Sequence, residues 1–95
     1  MMGKLLVFLK YVFFVFSSDI NENRRHVHIT DKQSDLERIC KFWIEPFVEL
    51  EYNIGFTNKE INEIEKMLII NMTTVKSQLN LFYANKKVKS IKINE

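Results

Sequence analysis

The chain has 95 residues, 46% hydrophobic and 13% aromatic with eight Phe, enough for one packed core, which excludes both a two-domain body and a disordered chain. A single cysteine, Cys40, excludes an internal disulfide and a thiolate zinc cluster, and suits a reducing compartment, the cytoplasm. The net charge of +2 is too small to argue for nucleic acid, but Glu45, Glu49, Glu51, Glu60, Glu63 and Glu65 precede Lys66 while Lys76, Lys86, Lys87, Lys89 and Lys92 follow it, which predicts a charge dipole if the fold keeps these segments apart.

Lys4 followed by an apolar run to Phe16 superficially resembles a secretory signal. Lys10 interrupts that run, no small-residue cleavage site follows, and a bilayer span needs about 18 apolar residues. The segment therefore reads as strands at residues 5–9 and 11–16, rich in β-branched and aromatic residues and paired as a hairpin turning near Lys10, with no membrane role. Residues 17–25 include Asp19, Asn21 and Asn23, which suits a loop whose side chains bond their own backbone. A third strand follows at residues 26–30, with His26, His28 and Thr30 on one face and Val27 and Ile29 on the other. Residues 31–37 are a polar turn, and residues 38–44 a fourth strand closed by Pro46.

Residues 47–54 read equally as a strand or a short helix, with Gly55 turning the chain after them. At Thr57 a capping box with Glu60, flanked by Phe56 and Ile61 as a hydrophobic staple, starts a helix. Ile61, Ile64, Leu68, Met72, Val75, Leu79 and Phe82 recur every three or four positions and form one stripe that must be buried. Asn71, Thr73 and Thr74 are poor helix-interior residues, so a kink or break belongs there. The alternating tail at residues 88–93 reads as a short edge strand or a frayed end.

The predicted fold is one α+β domain over residues 1–95. A small, mainly antiparallel sheet of about four strands occupies residues 4–46, a helical layer of one kinked or two helices occupies about 57–85 on one face, and a short basic tail fills 86–95. Both faces of the first hairpin are apolar, although one helical layer covers only one face. A homodimer mate, a partner chain or the tail is expected on the other.

Phe13-Phe14-Val15-Phe16-Ser17, His26-Val27-His28-Ile29, Lys41 through Pro46, Val48-Glu49-Leu50, Asn53-x-Gly55-Phe56 and the Thr-x-x-Glu helix start resemble the small bacterial proteins of domain of unknown function 4160, over residues 4 to about 84. Some members are labelled DhiT-type toxins of type II toxin–antitoxin modules. The resemblance implies a cognate antitoxin-like protein encoded nearby. Arg24 and Arg25 stand where the family commonly has prolines, and Leu79 where it usually has Trp.

Three chemistries remain open for the third strand. His26 and His28 share a strand face and could chelate zinc with Glu45 or Glu49. With Arg24 and Arg25 as phosphate-binding forks, the same histidines could move the proton of a ribose 2′-hydroxyl, a metal-independent ribonuclease site. They could also simply place a loop and a polar sheet face. With Gly3 and Gly55 alone there is no glycine-rich phosphate cradle. Cys40, beside Phe42 and Trp43, reads as a small core hydrophobe. One of Phe42 and Trp43 should pack under the helix.

The reading adopted is a toxin-side component of a toxin–antitoxin-like module. His26 and His28 are its candidate catalytic residues, Arg24 and Arg25 its substrate contacts, and Trp43, Glu45 and Glu49 its partner contacts. RNA is the candidate target, and neither metal nor cofactor is assigned. The alternatives are a metal-binding protein or metal-dependent hydrolase and a non-catalytic interaction module.

Overall fold

The computed structural model describes residues 2–31 and 36–93. Six strands, β1 (Met2–Phe8), β2 (Tyr11–Phe16), β3 (His26–Asp31), β4 (Ile39–Trp43), β5 (Glu49–Ile54) and β6 (Ile91–Ile93), form one sheet in the order β5-β4-β3-β2-β1-β6. Helices α1 (Asn58–Ile70) and α2 (Met72–Tyr83) follow the first five strands. Strand pairs are antiparallel except β1 with β6, which is parallel.

The expected α+β class holds, but the sheet has six strands rather than about four. The first addition is β5, the segment that reads as strand or helix. Glu49 to Ile54 alternates polar with apolar residues, the two-residue period of a strand, although every one of them is exposed, and β4 supplies the backbone edge with which it pairs. The second is the tail, which pairs Leu6 with Ile91 and Phe8 with Ile93. The polar turn expected at residues 31–37 falls largely on residues 32–35, outside the described residues.

The hairpin turns at Leu9 and Lys10 as expected, with Leu9 at φ 55°. A bulge between Lys4 and Leu6 puts Leu5 out of register. That bulge allows both Leu5 and Leu6 to join the main core, where each is fully buried. Phe13, Val15, Val27, Ile29, Cys40 and Phe42 line the same sheet face and pack against Ile61, Ile64, Met67, Leu68, Val75 and Leu79 of the helices. Phe42 packs under the helices, as one of the Phe42–Trp43 pair should.

Thr57 caps α1 as the sequence requires: its Oγ1 accepts from the Glu60 N–H at 3.1 Å and its own N–H donates to Glu60 Oε1 at 3.0 Å. The break expected near Asn71 separates α1 from α2, and the Asn71 side chain donates to the Met67 carbonyl. Gln78, buried on α2, donates to the carbonyls of Leu5 and Lys89. One side-chain amide thereby ties α2, the β1 bulge and the chain leading into β6 together.

On the second face of the hairpin, Val12 and Phe14, with Ile39, form a separate buried cluster packed by Val7 and Phe16. Much of the cover on this face is thus supplied within the chain, and the homodimer stays an expectation. No helix among the described residues is long and apolar enough to cross a membrane.

Candidate functional site

The alternation read in β3 is present, and it sends Val27 and Ile29 into the main core and His26 and His28 to the opposite face. That face is not a solvated polar surface at this point. His26 is fully buried and His28 is 5% exposed, because a 3₁₀ turn (Ser17–Asn21) directly after β2 lays the buried Asp19 over them. The turn is held by the Phe16 N–H donating to Asp19 Oδ2 at 2.8 Å and by the Tyr83 hydroxyl donating to the Asp19 carbonyl.

Asp19 Oδ1 lies 3.2 Å from His26 Nε2, and Asp19 Oδ2 lies 3.1 Å from His28 Nε2. These distances suit hydrogen bonds, yet neither ring nitrogen has a hydrogen-bond partner among the described residues. Each nitrogen is within ion-pair distance of the carboxylate. The outer nitrogens are engaged. His26 Nδ1 meets the Arg24 carbonyl at 3.0 Å, and because a carbonyl only accepts, Nδ1 carries the proton. In the neutral ring, Nε2 then presents a lone pair to the carboxylate. His28 Nδ1 is 3.4 Å from the Tyr52 hydroxyl. Burial holds the His28 imidazole below its ordinary value, with the Asp19 charge opposing that shift.

Aromatic rings wall in the pair: Phe14 stacks on His28, Phe16 meets it edge-on, and Trp43 meets His26 edge-on. The arginines beside them are occupied within the chain. Arg24 lies over the Trp43 ring at 4.3 Å, donates from Nε to the Glu45 carbonyl at 2.6 Å, and pairs with Glu49 at 2.9 Å. Arg25 lies over Tyr83, donates to Asn80 Oδ1 and sits 3.8 Å from the Glu45 carboxylate. Trp43 donates from Nε1 to Glu51 and also carries Lys41 against its ring.

The structure thus brings His26 and His28 together with Asp19, which the sequence reading assigned only to a loop. Glu45 and Glu49, the carboxylates considered for a chelate, are turned to the two arginines instead. Trp43, Glu45 and Glu49 lie together, joined through Arg24. The signal for Asp19 was its place between two strands that are neighbours in the sheet, a turn that folds back over whatever the second strand presents. Cys40 is buried in the main core, and burial pushes its thiol up to about 12, the state of an inert structural cysteine.

A six-stranded sheet with two helices on one face, and two histidines and an aspartate enclosed on the other, defines a small α+β domain. The chain belongs to the family described as a domain of unknown function, DUF4160, whose sequence profile matches residues 11–79. Neither the comparison with curated proteins nor that with solved structures gave a match.

Proposed function

We propose that this protein is one component, on the toxin side, of a two-protein toxin–antitoxin-like module, and that it docks its partner along β5. The observation that carries this is the β5 edge. Every residue of the strand is exposed, and the strand lies at the sheet margin with β4 as its one neighbour in the sheet. Glu49 and Glu51 alternate there with Leu50 and Tyr52, Ile54 follows at 55% exposure, and Phe47 beside the strand is 63% exposed. An extended segment with basic and apolar side chains would add to such an edge through main-chain hydrogen bonds, with the side chains choosing the partner.

The opposite margin supports RNA as the ultimate target. It ends in β6, and the tail carries Lys86, Lys87, Lys89 and Lys92, all exposed, so an acidic edge and a basic edge lie at the two ends of one sheet. A polyanion is drawn to the basic end and a basic partner to the acidic end. The module role itself rests on the family resemblance.

Expressing the chain alone and then with its genomic neighbour, while following growth, tests the reading. Growth should arrest with the chain alone and recover with the neighbour. The double variant Leu50→Lys, Ile54→Lys should stay folded and toxic but escape rescue. Unimpaired growth with the chain alone removes the toxin reading, and full rescue of the double variant removes β5 as the docking edge.

A further inference from the structure

We propose that Asp19, His26 and His28 form a binding site for a divalent first-row transition ion, with zinc as the reference ligand, which pins the 3₁₀ turn to β3. The donor set is two imidazoles and one carboxylate, a combination that suits zinc and its neighbours and is poor for calcium or magnesium, which want oxygen.

Four observations converge on this assignment. The three donor groups lie within 4.8 Å of one another and are buried. The separations of 3.2 Å from His26 Nε2 to Asp19 Oδ1 and 3.1 Å from His28 Nε2 to Asp19 Oδ2 are a little under the roughly 3.3–3.6 Å between neighbouring ligands of a tetrahedral zinc ion held at about 2.0–2.2 Å, with one carboxylate oxygen facing each imidazole. Both Nε2 atoms lack a hydrogen-bond partner among the described residues, although buried polar atoms nearly always have one. Finally, His26 Nδ1 rests on a backbone carbonyl and His28 Nδ1 on the Tyr52 hydroxyl, the outer contact that fixes a metal-bound imidazole with Nε2 toward the ion.

The Asp19 carboxylate explains why a cation belongs between these groups. When the ring is neutral with its proton on Nδ1, His26 Nε2 directs a lone pair at the Asp19 carboxylate, a contact that either a second ring proton or a metal cation between the two groups relieves. Three protein ligands leave the fourth tetrahedral position to water. This site is independent of the β5 reading, and its test uses no growth measurement.

The test uses protein carrying no histidine tag, stripped with a strong chelator, dialysed and titrated with zinc chloride while the imidazole nitrogens are followed by nitrogen-15 NMR. The chain has two histidines in all, so every imidazole signal belongs to the site. One zinc per chain should bind, and the Nε2 resonances of both rings should move together and saturate at one equivalent. Asp19→Asn keeps an acceptor for the Phe16 N–H and should weaken zinc binding at least tenfold, with far-ultraviolet circular dichroism reporting its fold. Imidazole signals that stay in place through the titration of the parent protein overturn the proposal, as does a folded Asp19→Asn variant that binds zinc as tightly as the parent. If the variant does not fold, the parent titration alone decides.

Discussion

Phe13 and Phe14 are neighbours on β2 and both are fully buried, yet they belong to different bodies of side chains. Phe13 points under α1 and α2 into a core drawn from five of the six strands and both helices. Phe14 points the other way, to Val12, Ile39 and the histidine pair, where Phe16 and one short turn supply much of the cover. Extensive apolar packing secures the first face, and a few polar and aromatic contacts secure the second. A face of the second kind is what a small domain has available to alter, because changing it leaves the packing that defines the fold in place.

The largest expected effect comes from that pair of phenylalanines. Phe13→Ala should cost about 4–5 kcal/mol, since the crowded core cannot collapse onto the cavity, and Phe14→Ala about 3 kcal/mol, since its small cluster can. Denaturant unfolding of the two variants measures the gap. Equal losses would show that the two faces are equally rigid and would break the contrast.

A smaller effect should follow from the α1 cap. Thr57→Ala should cost about 1 kcal/mol, because the Glu60 N–H loses its acceptor. The loss should fall on the helix-covered face alone. Thermal unfolding gives the size, and histidine NMR signals that keep their parent positions confirm the location. Movement of those signals would mean that the two faces communicate through the sheet.

The smallest effect is a dependence on pH. The hydrogen bond from the Thr57 N–H, followed by the Arg38 and Lys10 contacts, holds the Glu60 carboxyl down at about 2, below its ordinary 4.5. A carboxylate whose folded value is depressed binds fewer protons in the folded chain than in the unfolded one. Its contribution is complete above about pH 4.5 and fades as the pH falls toward 2. Because Glu60 is partly in water, the effect is reduced by solvent screening. Glu60→Gln should flatten this part of the stability profile, and a profile that falls as steeply as the parent's would assign the acid sensitivity to other groups.

Much of the helix-covered face could be read in advance because its signals are local and periodic. Thr57 and Glu60 lie three residues apart, the Ile61-to-Phe82 stripe repeats with the helix, and Val27 and Ile29 alternate with the strand. The other face was only half legible. The shared side of His26 and His28 follows from their spacing, but their burial depends on a turn that precedes them and folds over them, and no period along the chain records that. Asp19 was visible as a turn former and does bond the Phe16 backbone; its approach to two imidazoles is a tertiary event. β5 differs again: Glu49 to Ile54 alternates as a strand should, but it buries nothing, so the alternation marks no core face and its place at the sheet margin comes only from pairing with β4.

The pairing of β1 with β6, stitched by Gln78, has a consequence for synthesis. β1 is synthesised before both helices, and the strand that covers its edge only after them. Throughout translation of the intervening residues the nascent sheet carries a bare, strongly apolar first strand, the kind of edge that recruits a strand from another molecule. A message cut short after α2, or a protease that clips near Lys89, would leave that edge permanently open. Such truncated chains should be cleared or aggregate faster than their small loss of buried area suggests.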